Sequence, residues 1–407
     1  MSSHVTPAAG GGRSQGRFLD RPMTEPCILA MVVLALMTLG ILMVYSASRT
    51  AYATSDSYYF TRHLIFVPLA LAALAAGTRF PYRVLNRKWV AISILAAAVA
   101  LLVLVLVVGE ERNAARRWFA LPLGPMKISF QPSETAKFAM IIFLAWFFSR
   151  DTAQPRSFVR GFLPAIGVIG LVAALIVKED FGTGALVALV ATGLCLVAGW
   201  RWWFPLLVAV PGLAGGYAAI LQKPFRLERL KVWLDPWAYY DSTGWHVCQS
   251  LMGLGSGGLW GVGLGAGIQK LYIPENTTDF IFAVLCEEMG IAGGLLVVGL
   301  FGVFVWRGSR VVARAADRFG FLLAAGILMT IGLQAALNIG VVTSALPAKG
   351  ISLPFISYGG SGLVMMSFAA GLLASVARQA ERAGAGAGAK ATETATPAAP
   401  LVYRPTV

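Results

Sequence analysis

The chain has 407 residues, 57% of them hydrophobic and only 13% charged, about half the charge of an ordinary soluble protein. That balance excludes a water-soluble enzyme. Continuous apolar runs near 20 residues exclude a β-barrel, whose strands alternate. The net charge of +14 is spread over short loops, which points to membrane topology and contact with anionic membrane lipids rather than to a nucleic-acid stripe.

Residues 1–24 are rich in Gly, Ser and Arg and read as a disordered tail. The first apolar run begins near Cys27, is too long for a signal-peptide core and lacks a small-residue cleavage site, so an uncleaved first span is expected. Ten spans are predicted, near 27–47, 64–80, 89–108, 135–149, 160–177, 183–200, 203–221, 280–306, 319–345 and 353–377. An even count puts both termini on one side. Arg79, Arg83, Arg87 and Lys88 in one short loop, and Arg307, Arg310, Arg314 and Arg318 in another, place that side in the cytoplasm. The expected fold is an all-α polytopic membrane domain over 25–380, with about ten transmembrane helices. A large extracytoplasmic loop, 222–279, lies between spans 7 and 8. A Gly- and Ala-rich cytoplasmic tail, 381–407, cannot bury a core. Cys27, Cys195, Cys248 and Cys286 show no metal or redox spacing.

Two outer loops are large, 109–132 and 222–279. The first holds Arg112, Arg116, Arg117, Trp118 and Lys127. The second carries Trp233, Trp237, Tyr239, Tyr240 and Trp245, which suit an interfacial belt or a sugar or lipid site. Its glycines between Gly253 and Gly267 resemble a phosphate-cradling loop, but close packing or a re-entrant hairpin explains them equally. No Walker A motif is present, so ATP-driven transport has no support.

Four segments could carry chemistry. In Gln131-Pro132-Ser133-Glu134-Thr135-Ala136-Lys137 a proline and a serine suit a helix start, and Glu134 and Lys137 share a face. That pair is either an anchor or a charged cavity wall. Lys178-Glu179-Asp180-Phe181-Gly182-Thr183-Gly184 reads as a tight outer turn. The run Leu346 to Ser361, with Lys349, Ser357 and Tyr358, has irregular backbone at membrane depth and so suits a cavity wall. Asn276-Thr277-Thr278-Asp279 opens a long apolar helix, with Glu287 and Glu288 inside it at a cost of roughly 2.5–3.5 kcal/mol each on the insertion scale. Asp279 is either a helix-capping acid or a base whose strength partial burial raises; spacing alone leaves both open. His4, His63 and His246 are scattered, so no Ser–His pair or histidine metal site is expected.

Gln131-Pro132-Ser133-Glu134, Thr278-Asp279-Phe280-Ile281-Phe282-Ala283, Glu287-Glu288 with Gly290, and Pro354 to Ser361 together resemble the SEDS family, the shape, elongation, division and sporulation proteins. Leu234-Asp235-Pro236, Gln249-Ser250, Gly255-Ser256-Gly257-Gly258 and Gln269-Lys270 fit as well, over about residues 25–380. Leu346-Pro347-Ala348-Lys349-Gly350 is similar to the Leu-Pro-Thr-Lys-Gly of the division branch, FtsW; the elongation branch, RodA, usually lacks that lysine.

The resemblance implies a peptidoglycan glycosyltransferase of the inner membrane, at the division septum, that polymerises lipid II outside. It implies Asp279 as the general base. Glu134, Lys137, Arg116, Arg117, Trp118, Gln249, Ser250, Lys349, Ser357, Tyr358 and Ser361 become candidate substrate contacts, the cations for the diphosphate. A divalent cation, Mg or Mn, is a further candidate. Implied partners are a growing glycan chain, a class B penicillin-binding protein (an FtsI-like transpeptidase) and divisome proteins such as FtsQ, FtsL, FtsB and FtsN. Departures are Thr277 where the family commonly has His, Lys178-Glu179 where it has Gln-Pro, and Trp245-His246 where it has Tyr-Gln. Rival readings are a lipid II flippase, an elongation-branch polymerase and a non-catalytic scaffold.

Overall fold

The computed structural model describes residues 24–48, 58–112, 115–123, 126–221, 224–273 and 275–394. The predicted N-terminal tail lies almost wholly outside them. Twelve α-helices occur in the described chain: α1 Glu25–Ser48, α2 Tyr58–Arg79, α3 Lys88–Val108, α4 Pro132–Ser149, α5 Leu163–Glu179, α6 Phe181–Val197, α7 Phe204–Leu221, α8 Pro224–Leu234, α9 Trp245–Ser256, α10 Ile281–Ala313, α11 Arg318–Val342 and α12 Gly360–Thr394. Seven are long and apolar enough to cross a membrane: α1, α2, α3, α5 with the turn before it, α10, α11 and the first part of α12. Apolar α6 is shorter, and α4 and α7 fill the other two predicted positions. The chain is thus the predicted helical polytopic protein.

Three details differ from expectation. The first outer loop is not irregular: Glu110–Arg112 (β1), Ala115–Leu123 (β2) and Met126–Phe130 (β3) form an antiparallel sheet in the order β1-β2-β3. Residues 118–121, Trp-Phe-Ala-Leu, favour extended backbone locally, so the fold is helical with a small β cap. The last span begins at Gly360 rather than near 353, because Pro354 and the Ser357 to Gly359 stretch stay non-helical. Finally, α12 runs to Thr394, past residue 381 where composition sets the tail boundary; its alanines are strong helix formers.

The core is helix on helix. α10 packs between α1, α9 and α11; α11 also meets α4, α6 and α12, and α12 lies along α2. The first two turns of α10, Ile281 to Glu288, are entirely buried. α10 then breaks at Gly290 (φ +67°). Into that break folds the glycine-rich segment after α9. Val262 and Gly263 N–H donate to the Glu287 and Glu288 carbonyls, and Ile291 and Ala292 N–H donate to the Gly258 and Leu259 carbonyls. Gly261 (φ +84°) sits so close to the Glu288 carbonyl that a Cβ would overlap it. Gly257, Gly261 and Gly290 therefore serve close backbone packing.

The two α10 acids follow the same logic. Glu287 accepts from the backbone N–H of Ile268 (2.6 Å) and Gln269 (3.0 Å). Glu288 pairs with Lys270 at 2.7 Å. Asn276 ties this segment to α1 and to itself, donating to the Ala47 and Lys270 carbonyls. These buried charges are structural clasps for the strand that leads to Asp279.

Candidate active site

Asp279 lies just before α10. The helix N-cap is Phe280 and makes no side-chain cap bond, so the capping reading of Asp279 fails. Its backbone is instead held by neighbours. Asn338 on α11 donates to the Asp279 carbonyl (2.8 Å), Ser357 Oγ to the Thr278 carbonyl (2.6 Å) and Tyr358 N–H to the Thr277 carbonyl (2.9 Å). Three consecutive carbonyls are thus tethered to α11 and to the irregular segment before α12. Asn338 also donates to the Ile351 carbonyl at 2.6 Å, joining both sides.

The carboxylate faces Gly350, where a Cβ would stand 2.9 Å from Asp279 Oδ2. Lys349, next to it, lies 4.5 Å above the Phe181 ring. A Cβ at Gly182 would stand 3.5 Å from both Asp180 Oδ1 and Lys349 Cβ, so the start of α6 is the opposite wall. Asp180 caps α6 through Thr183 N–H (3.0 Å) and Oγ1 (2.9 Å), and pairs with Arg117 of β2 at 3.5 Å. The small sheet thereby carries a cation to the site.

Asp279 is half-buried. Desolvation, then the charges of Glu275 and Asp180, push its pKa up to about 7, against the pull of Arg117 and Arg229. Burial lowers the Lys349 ammonium, with Asp180 opposing. A carboxylate poised near neutrality between cations suits proton abstraction close to a phosphate-bearing substrate.

A second polar group runs inward from the site. Lys137 bonds Glu134 (2.9 Å) and Gln334 Oε1 (2.8 Å), and Gln334 Nε2 donates to the Ser352 carbonyl (3.0 Å). Gln334 and Asn338 are four apart on α11 and link this group to Asp279. Polar residues one turn apart in an apolar span are a readable signal of an interior face, and sequence reasoning passed over them. Asp180 was read only as a turn.

The other predicted residues have plainer places. Ser361 Oγ accepts from Gln131 N–H (3.2 Å). Tyr358 packs edge-on against Tyr59 and under Arg62. Arg116 spends its N–H on Glu179 (2.8 Å) and its guanidinium on Glu111 (3.4 Å). Trp118 is half-buried in β2, opposite Glu110. Gln249 and Ser250 are buried in the α9 packing, Ser250 donating to the Val342 carbonyl (2.9 Å) and Gln249 to Tyr240 (3.4 Å). The described residues do not assemble three or more His, Cys, Asp or Glu as metal ligands, and the chemistry assigned below to Asp279 uses none.

Known proteins share this architecture. The profile of the FtsW/RodA/SpoVE cell cycle proteins matches residues 27–382. Stage V sporulation protein E of Bacillus subtilis is 40% identical over 87% of this chain and 98% of its own. The probable peptidoglycan glycosyltransferase FtsW of Coxiella burnetii is 38% identical over 87% and 96%. Among solved structures, a chain of a peptidoglycan synthase complex that coordinates polymerisation and crosslinking superposes with a TM-score of 0.71 at 28% identity, over 86% of this chain and 97% of that one. The rod shape determining protein RodA of Thermus thermophilus superposes at 0.62 with 27% identity, over 86% and 96%. With the profile covering most of the sequence and these relatives nearly full length, the chain belongs to the FtsW/RodA/SpoVE family of cell cycle proteins.

Proposed function

We propose that the chain is a peptidoglycan glycosyltransferase, of the division branch, that polymerises lipid II at the outer face of the cytoplasmic membrane. The observation that carries this reading is the Asp279 carboxylate, raised to about 7 on a tethered backbone, facing Gly350 and acted on by the charges of the Arg117–Asp180 pair. The relatives named peptidoglycan glycosyltransferase FtsW support the reaction class, and Lys349-Gly350 supports the branch.

In the proposed step the acceptor sugar's 4-hydroxyl oxygen attacks the donor's anomeric carbon. The new glycosidic bond forms as the bond to undecaprenyl diphosphate breaks, and the diphosphate leaves with the electron pair. Asp279 takes the hydroxyl proton. Arg117 and Lys349 meet the diphosphate charge. The energy comes from the leaving group, in line with the missing ATP motif. The neighbouring synthase complex supports a class B penicillin-binding protein as partner.

The test is full-length chain in liposomes with labelled lipid II and the cognate transpeptidase. Glycan ladders are expected on a gel. Lipid II movement across the bilayer with no ladder would replace this proposal with the flippase reading.

Two variants probe the geometry. Gly350→Ala puts a methyl 2.9 Å from Asp279 Oδ2 and should cut turnover by about 10- to 100-fold, the range a misplacement near 1 Å brings, with normal folding by gel filtration. Arg117→Gln removes a charge that holds the Asp279 pKa down. The pH–rate profile should move to higher pH, by up to about half a unit for one part-exposed charge.

A further inference from the structure

The cytoplasmic side carries a feature that polymerisation leaves unused. A cavity of about 590 Å³ opens between the α4–α5 and α6–α7 connections, lined by Gln154, Pro155, Arg156, Ser157, Ala198, Gly199 and Arg201. We propose that this cavity holds the headgroup of an anionic phospholipid of the inner leaflet.

Charge is the first argument. Arg156 and Arg201 are exposed at the cavity from two separate connections, and a third arginine, Arg318, donates to the Ala198 carbonyl in its wall (3.2 Å). The α4–α5 connection holds one acid, Asp151, and the α6–α7 connection none. Arg150 is engaged elsewhere, 4.8 and 4.4 Å above the Trp146 and Phe147 rings. Inner-side arginines orient any membrane chain, but these two also wall a hollow.

Shape is the second argument. The two connections that frame the cavity are pinned to each other by ring contacts among Phe158, Phe162, Trp200 and Phe204, next in sequence to the lining residues Ser157 and Gly199. Its membrane side is apolar on both flanks. Val159 and Leu163 are exposed in the turn before α5 and at its start, and Trp202, Leu206 and Val210 just before α7 and along it. A basic hollow with apolar walls leading away matches an amphiphile, whose chains run along those helices while its phosphate meets the arginines. A free anion would use only half of this surface.

The test is native mass spectrometry of the full chain extracted from bilayers of equal phosphatidylglycerol and phosphatidylcholine. Phosphatidylglycerol adducts should dominate, by roughly fivefold per arginine engaged. Arg156→Gln with Arg201→Gln should lower the ratio by about those two factors, and the Arg→Lys pair, which keeps charge and guards against misfolding, should preserve it. Arg150→Gln should change nothing. Equal adducts in the parent chain, an unchanged ratio in the Gln pair, or stripping of the adducts by inorganic phosphate alone would overturn the assignment.

Discussion

Asp279→Asn should lower glycan polymerisation by about 10²- to 10⁴-fold, the range general bases contribute, while the protein still folds and holds its transpeptidase. Asparagine keeps the shape, and the bonds to the Thr277, Thr278 and Asp279 carbonyls are to backbone, so they survive. Only the proton acceptor is lost. The measurement is ladder formation from labelled lipid II, with a pull-down of the partner as the folding control. Full activity in the variant would remove Asp279 from the mechanism.

The same residue predicts two pH effects of opposite direction. A base raised to about 7 is half ionised there, so activity should climb through pH 6–8. Stability should do the reverse. Between the ordinary value of 3.8 and about 7 the folded protein binds this proton more tightly than the unfolded chain does. Folded stability from this group therefore falls as pH rises across that window, and above it the full cost of a desolvated charge remains. At 1.36 kcal/mol per unit the ceiling is about 4 kcal/mol, and the carboxylate's partial exposure reduces it to about 1–2. Asp279→Asn should therefore unfold at a higher temperature than the parent at pH 8, with the gap closing toward pH 4. A dead yet stabilised enzyme is what a strained catalytic group leaves behind.

Much of the scaffold was legible because burial in lipid is a one-dimensional constraint. Twenty apolar residues must form a helix whatever their neighbours, so α1, α3 and α11 fall where hydropathy places them. The β cap was not legible in the same way: its strands are charged and carry Pro122, and only the pairing of β2 with both β1 and β3 makes them a sheet. The site was legible in part. Asp279, Lys349, Ser357 and Tyr358 come together through local segments already marked as irregular. Asp180 looked like a turn because its local role is one, a cap on Thr183. Its second role, toward Arg117 and Asp279, depends on β2 reaching the α5–α6 junction, which no local pattern encodes. The acids of α10 teach the same point in reverse. Their cost in a membrane flagged Glu287 and Glu288 for function, yet each is answered by a partner within 20 residues upstream.

The buried Lys270–Glu288 pair should dominate stability outside the site. Lys270 is 3% exposed and Glu288 1%. The ammonium has three acceptors: Glu288 Oε1 at 2.7 Å, the Gly265 carbonyl at 2.8 Å and Ser46 Oγ at 3.0 Å. Ser46 in turn donates to Glu288 at 2.6 Å. Lys270→Met leaves a carboxylate buried with one hydroxyl for company, and Glu288→Leu leaves the ammonium short of its counter-charge. Each should destabilise the chain by about 3–5 kcal/mol. Lys270→Met with Glu288→Leu removes both charges at once and should recover most of that loss. Thermal unfolding in detergent closes the cycle, and additive single effects would show that the pair is not coupled. Activity should follow stability here for a geometric reason. Lys270 anchors the segment that fills the α10 break, and that segment runs directly into Asn276 and Asp279. Freeing it lets the Asp279 carboxylate drift from Gly350 and Asp180, so the single variants should lose turnover below their unfolding temperature and the apolar pair should regain it.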